Sequence, residues 1–554
     1  MKPGPNPQPY EEQEAAAVAG YFDAAHYLAA NPEVRESGLD PLQHFLRQGW
    51  REGRNPSADF DVAYYLRAYP DVVATGVNPL LHYVWAGKAE GRLPRRPMDE
   101  FRSNIERARH PREKAAEWGR LTDHGPYLER QSLTRRLAEV ISMRALVVSV
   151  SHDDYHRNLG GVQNLIRQER AALERAGCAY LHIAPLAPLP LLAETATAQS
   201  LHVLLRLGAD HLGVATMEDL AACLEALSIA GARLFVVVHH LLGHSPEALA
   251  ALTAIAAHGT IAWIHDYFTL CANYTLLRND VRFCGAPPPN SGACGVCAYG
   301  ADRAEHMARV RRFFDAARPL VLAPSETALE IWRSHGDLPH RDAGVQPPAR
   351  LVLADDPLPA VEPDRELRVA HLGMPSHHKG WPTFAALARR CAKDPAYGFY
   401  RFGAPSEVRL AGGIRNIDVR VSHDRPNAMI EAISEHRIDV VVNWSPWPET
   451  FCYTVHEALA GGAFVLASAG AGHVSAALRA IAPEQGCVLE SEAELFRLFE
   501  ERRLARLVRD ARRRRGVLIP EAGSAPWIAR VLDSAEFALS APLKASAAAM
   551  RLQG

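Results

Sequence analysis

From Arg144 onward, short β-branched runs alternate with helical stretches in two separate series, and this alternation constrains the fold more than any other feature of the chain. The first series contains Ala145 to Val150, Leu234 to His240, Thr260 to Phe268 and Leu320 to Ser325, with helical patterns such as Leu165 to Gly177 between them. A second series follows the acidic, proline-rich stretch Asp355 to Pro363. It comprises Leu367 to Gly373, Gly398 to Gly403, Ile417 to Val421, Ile438 to Trp444 and Ala463 to Ala469. Apolar strands separated by helices bury both faces of a parallel sheet. The expectation is therefore an α/β body of two Rossmann-like domains, 144–360 and 361–535, with residues 536–554 as a tail or crossing helix.

The first hundred residues follow a different rule. The segment from Phe22 to Pro56 recurs from Phe60 to Pro94 with a constant offset, so that Pro32 and Pro70, Gly38 and Gly76, His44 and His82, and Gly49 and Gly87 correspond. Two copies of one small helical unit are expected within 1–97, followed by a charged helical connector over 98–143. The aromatics, histidines and glycines at fixed places read mostly as repeat packing.

Composition narrows the function classes. At 554 residues and a formal net charge of −2, the chain has no global electrostatic pull toward nucleic acid or an anionic surface. The start of the chain lacks the pattern of a secretory signal, and the most apolar region, Pro185 to Leu207, is interrupted by Pro, Glu, His and Arg. Cytoplasmic residence is expected, with contact at the inner face of a membrane left open. The basic run Arg502 to Gly516 could touch anionic lipid, but a solvated helix face paired with Glu500 and Glu501 is the plainer reading.

Chemistry concentrates where strands of the two series end. In the second, the strand closing at Trp444 runs through Pro448-Glu449-Thr450-Phe451 into a helical pattern containing Tyr453, Thr454 and Glu457, stopped by Gly461. A helix that starts at the carboxyl end of a parallel strand offers unpaired N–H groups to phosphate, and carboxylates accept from sugar and ribose hydroxyls. Earlier in that series, Gly373 ends a strand, and Lys379-Gly380 opens the next helix. In the first series, Gly160 and Gly161 follow the first strand and permit a close phosphate approach. His265 and Asp266 end another strand, and His239 and His240 stand at the end of its neighbour as weaker cleft candidates.

The run from Pro448 to Gly462 resembles the paired-glutamate motif of family 4 of the retaining glycosyltransferases with the GT-B fold. The turns at Gly373 to Gly380, Gly160 to Gly161 and His265 are similar to further elements of that family. The resemblance implies two domains facing across a cleft and metal-independent transfer of a hexosyl group from a nucleoside-diphosphate sugar to a glycan, lipid-linked or protein acceptor, as in surface polysaccharide or glycoconjugate biosynthesis. It further implies that Glu449 contacts the donor sugar, Glu457 the ribose, Lys379 the departing diphosphate, and that His265 lies near the reacting sugar. Gly160, Gly161, Gly373, Gly380, Phe451, Tyr453 and Thr454 complete the expected donor site. The chain departs from the family at Met374, where many members carry an arginine. Rival readings are an epimerase or phosphorylase on the same fold, or a scaffold protein whose catalytic body is degenerate.

Nine cysteines are present, and four of them, Cys271, Cys284, Cys294 and Cys297, fall in one loop. Structural zinc, an iron–sulfur centre or free thiols are the alternatives for a reducing compartment, and four thiols match the ligand count of zinc best. Such a site would staple the loop beside His265 and take no part in catalysis.

Overall fold

The computed structural model describes residues 9–57, 59–95, 110–115, 125–186, 189–194, 202–362, 365–405 and 413–534. It divides into two units, 1–106 and 107–554. The expected tail 536–554 and parts of the connector 98–143 lie outside the described residues.

In the first unit the two related segments use the same elements. Helices Ala24–Ala30, Pro32–Ser37 and Pro41–His44 have counterparts in Val62–Ala68, Pro70–Thr75 and Pro79–His82, each set closed by a π-helical turn. Asp23 and Asp61 cap the first helix of each set. The Tyr27 hydroxyl meets His44 Nδ1 at 2.9 Å, and Tyr65 meets His82 at 3.0 Å. A Cβ added at Gly49 or Gly87 would lie 2.1 Å from those hydroxyls, so the tyrosine, histidine and glycine form one packing unit.

The second unit contains both α/β domains. In the first, eight strands stand in the order β10-β9-β6-β5-β1-β2-β3-β4. They are β1 (Leu146–Val150), β2 (Ala179–Pro185), β3 (His202–Leu207), β4 (Asp210–Thr216), β5 (Leu234–Val238), β6 (Thr260–Trp263), β9 (Leu320–Ala323) and β10 (Asp342–Val345), with the short hairpin β7 (Leu277–Arg278) and β8 (Arg282–Phe283) lying apart. All pair in parallel except β2-β3-β4, an antiparallel meander at one edge. The sequence reading passed over β2 to β4 and β10. The second domain carries β12 (Leu367–Leu372), β13 (Tyr397–Gly403), β14 (Ile414–Asp418), β15 (Val440–Asn443), β16 (Phe464–Ser468) and β17 (Gly486–Leu489). Their order, β14-β13-β12-β15-β16-β17, is wholly parallel and reverses direction between β12 and β15. Ligands of doubly wound sheets bind at that reversal. The second unit thus holds two Rossmann-like α/β domains.

Several boundaries differ from expectation. The strand expected at Ile417 to Val421 begins three residues earlier, because Ile414 is the residue that packs inward. Within the connector, Leu128, Leu133, Leu137 and Val140 join the core of the first domain. The basic run divides into helix Arg503–Asp510 and the start of β18 (Arg514–Pro520). That strand pairs antiparallel with β11 (Ala349–Pro357), where a linker was expected. The return to the first domain therefore precedes the expected tail: helix Ala525–Asp533 buries Ala525 and Ile528 with Val147, Ile166 and Phe235. Among the described residues no helix is long and apolar enough to cross a membrane.

Candidate active site

The reversal between β12 and β15 gathers most of the expected donor-site residues. The chain leaves β12 through Gly373, whose φ of +99° suits glycine. It then makes one tight turn, His377–Lys379, and enters helix Trp381–Arg390 through Gly380 at φ +76°. A Cβ on Gly380 would stand 2.1 Å from the Trp444 carbonyl oxygen, so this glycine lets the turn lie against the end of β15. The result is a hydrogen-bonded ion pair: Lys379 Nζ donates to both Glu449 carboxylate oxygens at 3.0 Å. Burial alone would push the Lys379 ammonium down, but the carboxylate beside it holds it above its usual range. Glu449 is 2% exposed. Removing the lysine would leave a buried carboxylate uncompensated, which costs roughly 3 kcal/mol or more.

Glu449 is held by backbone as well. Its N–H donates to the Ala471 carbonyl and its own carbonyl accepts from His473 N–H at 2.8 Å. This contact requires Gly472, at φ +62°, because a Cβ there would lie 2.6 Å from Pro448. The glycine-rich loop after β16 is thus a part of the site that sequence reasoning missed. The repeated small residues from Ala469 to Gly472 were its only sequence signal.

Glu457 sits in the helix Tyr453–Ala460, 8% exposed, and has no hydrogen-bond partner among the described residues. Burial pushes its carboxyl up to about 7. It is therefore an acceptor in waiting, half protonated near neutrality. Thr454 is engaged: its hydroxyl accepts from Asn443 Nδ2 at 3.1 Å and touches Cys452 Sγ. A small void lined by His371, Lys379, Asn443 and Thr454 opens at the reversal point. Phe451 stacks on His456 and His473 at 4.8 and 4.7 Å between centroids, so its ring supports the turn through packing. Arg401, 1% exposed, directs its guanidinium to the Gly373 carbonyl, with Nη2 lacking a partner. It gives the turn a buried cation near Met374, which is exposed.

The first domain meets this site along two fronts. At one, helix Gly161–Arg175 starts directly against Tyr453: a Cβ on Gly161 would stand 3.2 Å from its ring. Gly160 lies beside Gln163, whose amide donates to Asp153. The Tyr453 hydroxyl is buried without a partner, which leaves a donor for a ligand. At the other front, three groups clasp the Pro448–Thr450 turn. Tyr267 donates to the Pro448 carbonyl at 3.0 Å, Ser325 to the Thr450 carbonyl at 2.7 Å, and the Thr450 hydroxyl to the His265 carbonyl. His265 and Glu449 are therefore fixed on adjoining turns from opposite domains. The His265 ring lines a narrow cavity with His239, His240 and Asp266, and Asp266 accepts from His240 at 2.9 Å. Burial, with His239 next, pushes the His265 imidazole well below its usual range, so it is neutral at pH 7.

Four cysteines stand in the loop where a ligand set was expected. Among the described residues no group of three or more His, Cys, Asp or Glu could hold a metal ion, and all four loop cysteines are free thiols. Cys294 Sγ accepts from Arg303 at 3.0 Å, and burial pushes the Cys271 thiol up to about 12. The loop is held by Asn273, Asp280, Tyr299 and Arg303 through hydrogen bonds. Its tip reaches the second domain, where the Val281 carbonyl lies 2.7 Å from His377 Nε2.

No family model matches this sequence, and neither does any curated protein. Solved structures do show similarity. Sucrose-phosphate synthase from Thermosynechococcus elongatus aligns at 13% identity over 71% of this chain and 96% of its own, with a TM-score of 0.42. HepE from Anabaena, in complex with UDP-glucose, aligns at 13% identity over 72% of this chain and 100% of its own, with a TM-score of 0.37. WaaG, a glycosyltransferase involved in lipopolysaccharide biosynthesis, aligns at 12% identity over 71% and 96%, with a TM-score of 0.33.

Proposed function

We propose that the chain is a glycosyltransferase that moves a sugar from a nucleoside-diphosphate sugar, bound at the β12/β15 reversal, to a glycan, lipid-linked or protein acceptor entering from the first domain. One observation carries this reading: Lys379 and Glu449 from one sheet and His265 from the other converge at the carboxyl ends of their strands. Each group has a task in such a transfer. The ribose diol donates to Glu457, whose buried carboxyl lacks a partner among the described residues. The diphosphate lies over the start of helix Tyr453–Ala460, where backbone N–H groups and the Tyr453 hydroxyl are available, and Lys379 moves from Glu449 toward its oxygens. Glu449, freed from the lysine, accepts from hydroxyls of the donor sugar.

The transition state separates a sugar cation from a diphosphate anion, so a fixed ammonium and helix terminus stabilise it most as the bond breaks. Arg401 adds positive potential beside Gly373, in place of the arginine absent at Met374. Transfer proceeds with retention: the acceptor attacks from the face the diphosphate leaves, and a diphosphate oxygen takes the acceptor proton. Surface glycoconjugate biosynthesis at the inner face of a membrane is the setting the sequence resemblance suggests.

Glu449→Gln and Glu457→Gln test the reading together. Donor-sugar transfer should be lost in the first and nucleoside-diphosphate binding weakened in the second. Transfer and binding unaltered in both variants would sink it. Product formed without acceptor would favour the epimerase, and dependence on free phosphate the phosphorylase.

A further inference from the structure

Behind His265 runs a chain of buried groups that donor binding does not use. His265 Nε2 lies 3.1 Å from His239 Nδ1, the two rings lie nearly parallel at 5.4 Å between centroids, and the Trp263 ring lies nearly parallel to both, at 5.0 Å from His265 and 6.1 Å from His239. His239 Nε2 lies 3.1 Å from Glu169 Oε1, in the middle of helix Gly161–Arg175, and both side chains are fully buried. The Glu169 carboxylate accepts twice more, from the Tyr180 hydroxyl at 2.9 Å and from the Ser524 N–H at 2.7 Å. Ser524 in turn accepts from Trp263 Nε1 at 2.8 Å. The segment returning from the second domain thus closes onto the chain. That approach needs Gly523, where a Cβ would stand 2.8 Å from Glu169 Oε2.

We propose that Glu169 and His239 are positioning residues that set the tautomer of His265, so that its second nitrogen, Nδ1, faces the substrate as a hydrogen-bond acceptor. The proposal rests on the reading of His265 as a cleft group of the transfer reaction. The logic follows from counting protons. Glu169 receives three donors and is an acceptor only, so His239 Nε2 must carry a proton. With His239 neutral, its Nδ1 has a lone pair, and His265 Nε2 must donate to it. His265 Nδ1, which has no hydrogen-bond partner among the described residues, is then unprotonated and can accept from a hydroxyl of donor or acceptor sugar. Adding one proton reverses the pair: His239 becomes an imidazolium held by Glu169, donates from Nδ1 to His265 Nε2, and turns His265 Nδ1 into a donor. The switch changes the outward face of His265 while the charge stays inside the domain. Other ionisable groups face the pair: His240 with Asp266, His152, His182, and Tyr180 on Glu169. Asp266 bonds to His240 and Glu169 to His239, the partner of His265, so Glu169 is the anion that decides the direction.

Imidazole 15N spectra of the full chain, with the His265 signals assigned by their loss in His265→Asn, test the tautomer directly. In the wild type at pH 7.5, His265 should be protonated on Nε2 and bare on Nδ1. Glu169→Gln and His239→Gln should mix or reverse that pattern. His239→Asn, whose amide oxygen can stand in for Nδ1 as an acceptor, should restore it. In turnover, Glu169→Gln should lower kcat roughly 10- to 100-fold, the range known for losing a partner that orients a ligating histidine, with the donor KM unchanged. The acidic limb of its pH profile should move to lower pH. A wild-type His265 bare on Nε2, or one unaffected by Glu169→Gln and His239→Gln, overturns the proposal whatever the turnover. Absent turnover in a wild type with the expected spectra would instead overturn the transferase reading.

Discussion

The two Rossmann-like halves present opposite chemistry at matching places. In the second domain the reversal point holds a charged pair, Lys379 with Glu449, plus a carboxyl kept half protonated by burial at Glu457. In the first, the strand ends hold the histidines His152, His239, His240 and His265, and two of them meet carboxylates, His239 with Glu169 and His240 with Asp266. One half is arranged to receive an anion and the other to handle protons and hydroxyls. A transferase needs both, since a diphosphate must leave while a hydroxyl attacks, and the division predicts that variants in each half fail differently.

The largest effect should come from the charged pair. Glu449→Gln is expected to lower transfer by about 10³-fold, as loss of a transition-state contact does, while nucleoside-diphosphate affinity stays within about threefold. Lys379→Ala should damage both transfer and affinity, because it removes the cation facing the diphosphate. Equal loss of affinity in the two variants would erase the distinction between sugar and phosphate ends.

Glu457 gives a pH signature of intermediate size. Its folded-state carboxyl lies near 7 against an ordinary 4.5, so its protonated form favours the fold, and that contribution is lost as pH rises through about 7. A ribose diol needs the carboxylate, so donor affinity should rise as pH increases from 6 to 8, measured by calorimetry. Glu457→Gln should flatten this dependence and weaken binding roughly tenfold. A wild-type affinity independent of pH would place the ribose elsewhere.

Gly161→Ala should be milder, a few-fold loss of donor affinity, because its Cβ would press on Tyr453 from 3.2 Å and the ring can yield slightly. The smallest effect is expected in the cysteine loop. Cys297→Ser should move Tm by less than about 3 °C and leave metal content at background, whereas a zinc-stapled loop would lose both metal and stability.

Much of the second domain was legible in the sequence because its site is built from neighbours along the chain. Strand, turn and helix start are contiguous at Gly373 to Gly380 and again at Asn443 to Glu457, so local pattern placed the residues. The first domain was not legible in the same way. Glu169 and His239 stand 70 positions apart, and a glutamate in the middle of an amphipathic helix reads as solvent-facing until the fold buries it. Ser524 is further still, 355 positions from Glu169, and its contact depends on a chain return that was expected only after residue 535. The meander β2-β3-β4 was missed because antiparallel edge strands break the helix-strand alternation used to find the others.

In the proposed reaction a nucleoside-diphosphate sugar binds at the β12/β15 reversal through Lys379 and Glu457, and its sugar reacts beside His265. Calorimetric titration of a panel of nucleoside diphosphates into the wild type, the Lys379→Ala/Glu457→Gln double variant and His265→Ala tests it most directly. At least one nucleotide should bind the wild type, lose about 100-fold or more in affinity in the double variant, and bind His265→Ala unchanged. Equal binding to the wild type and the double variant would contradict it.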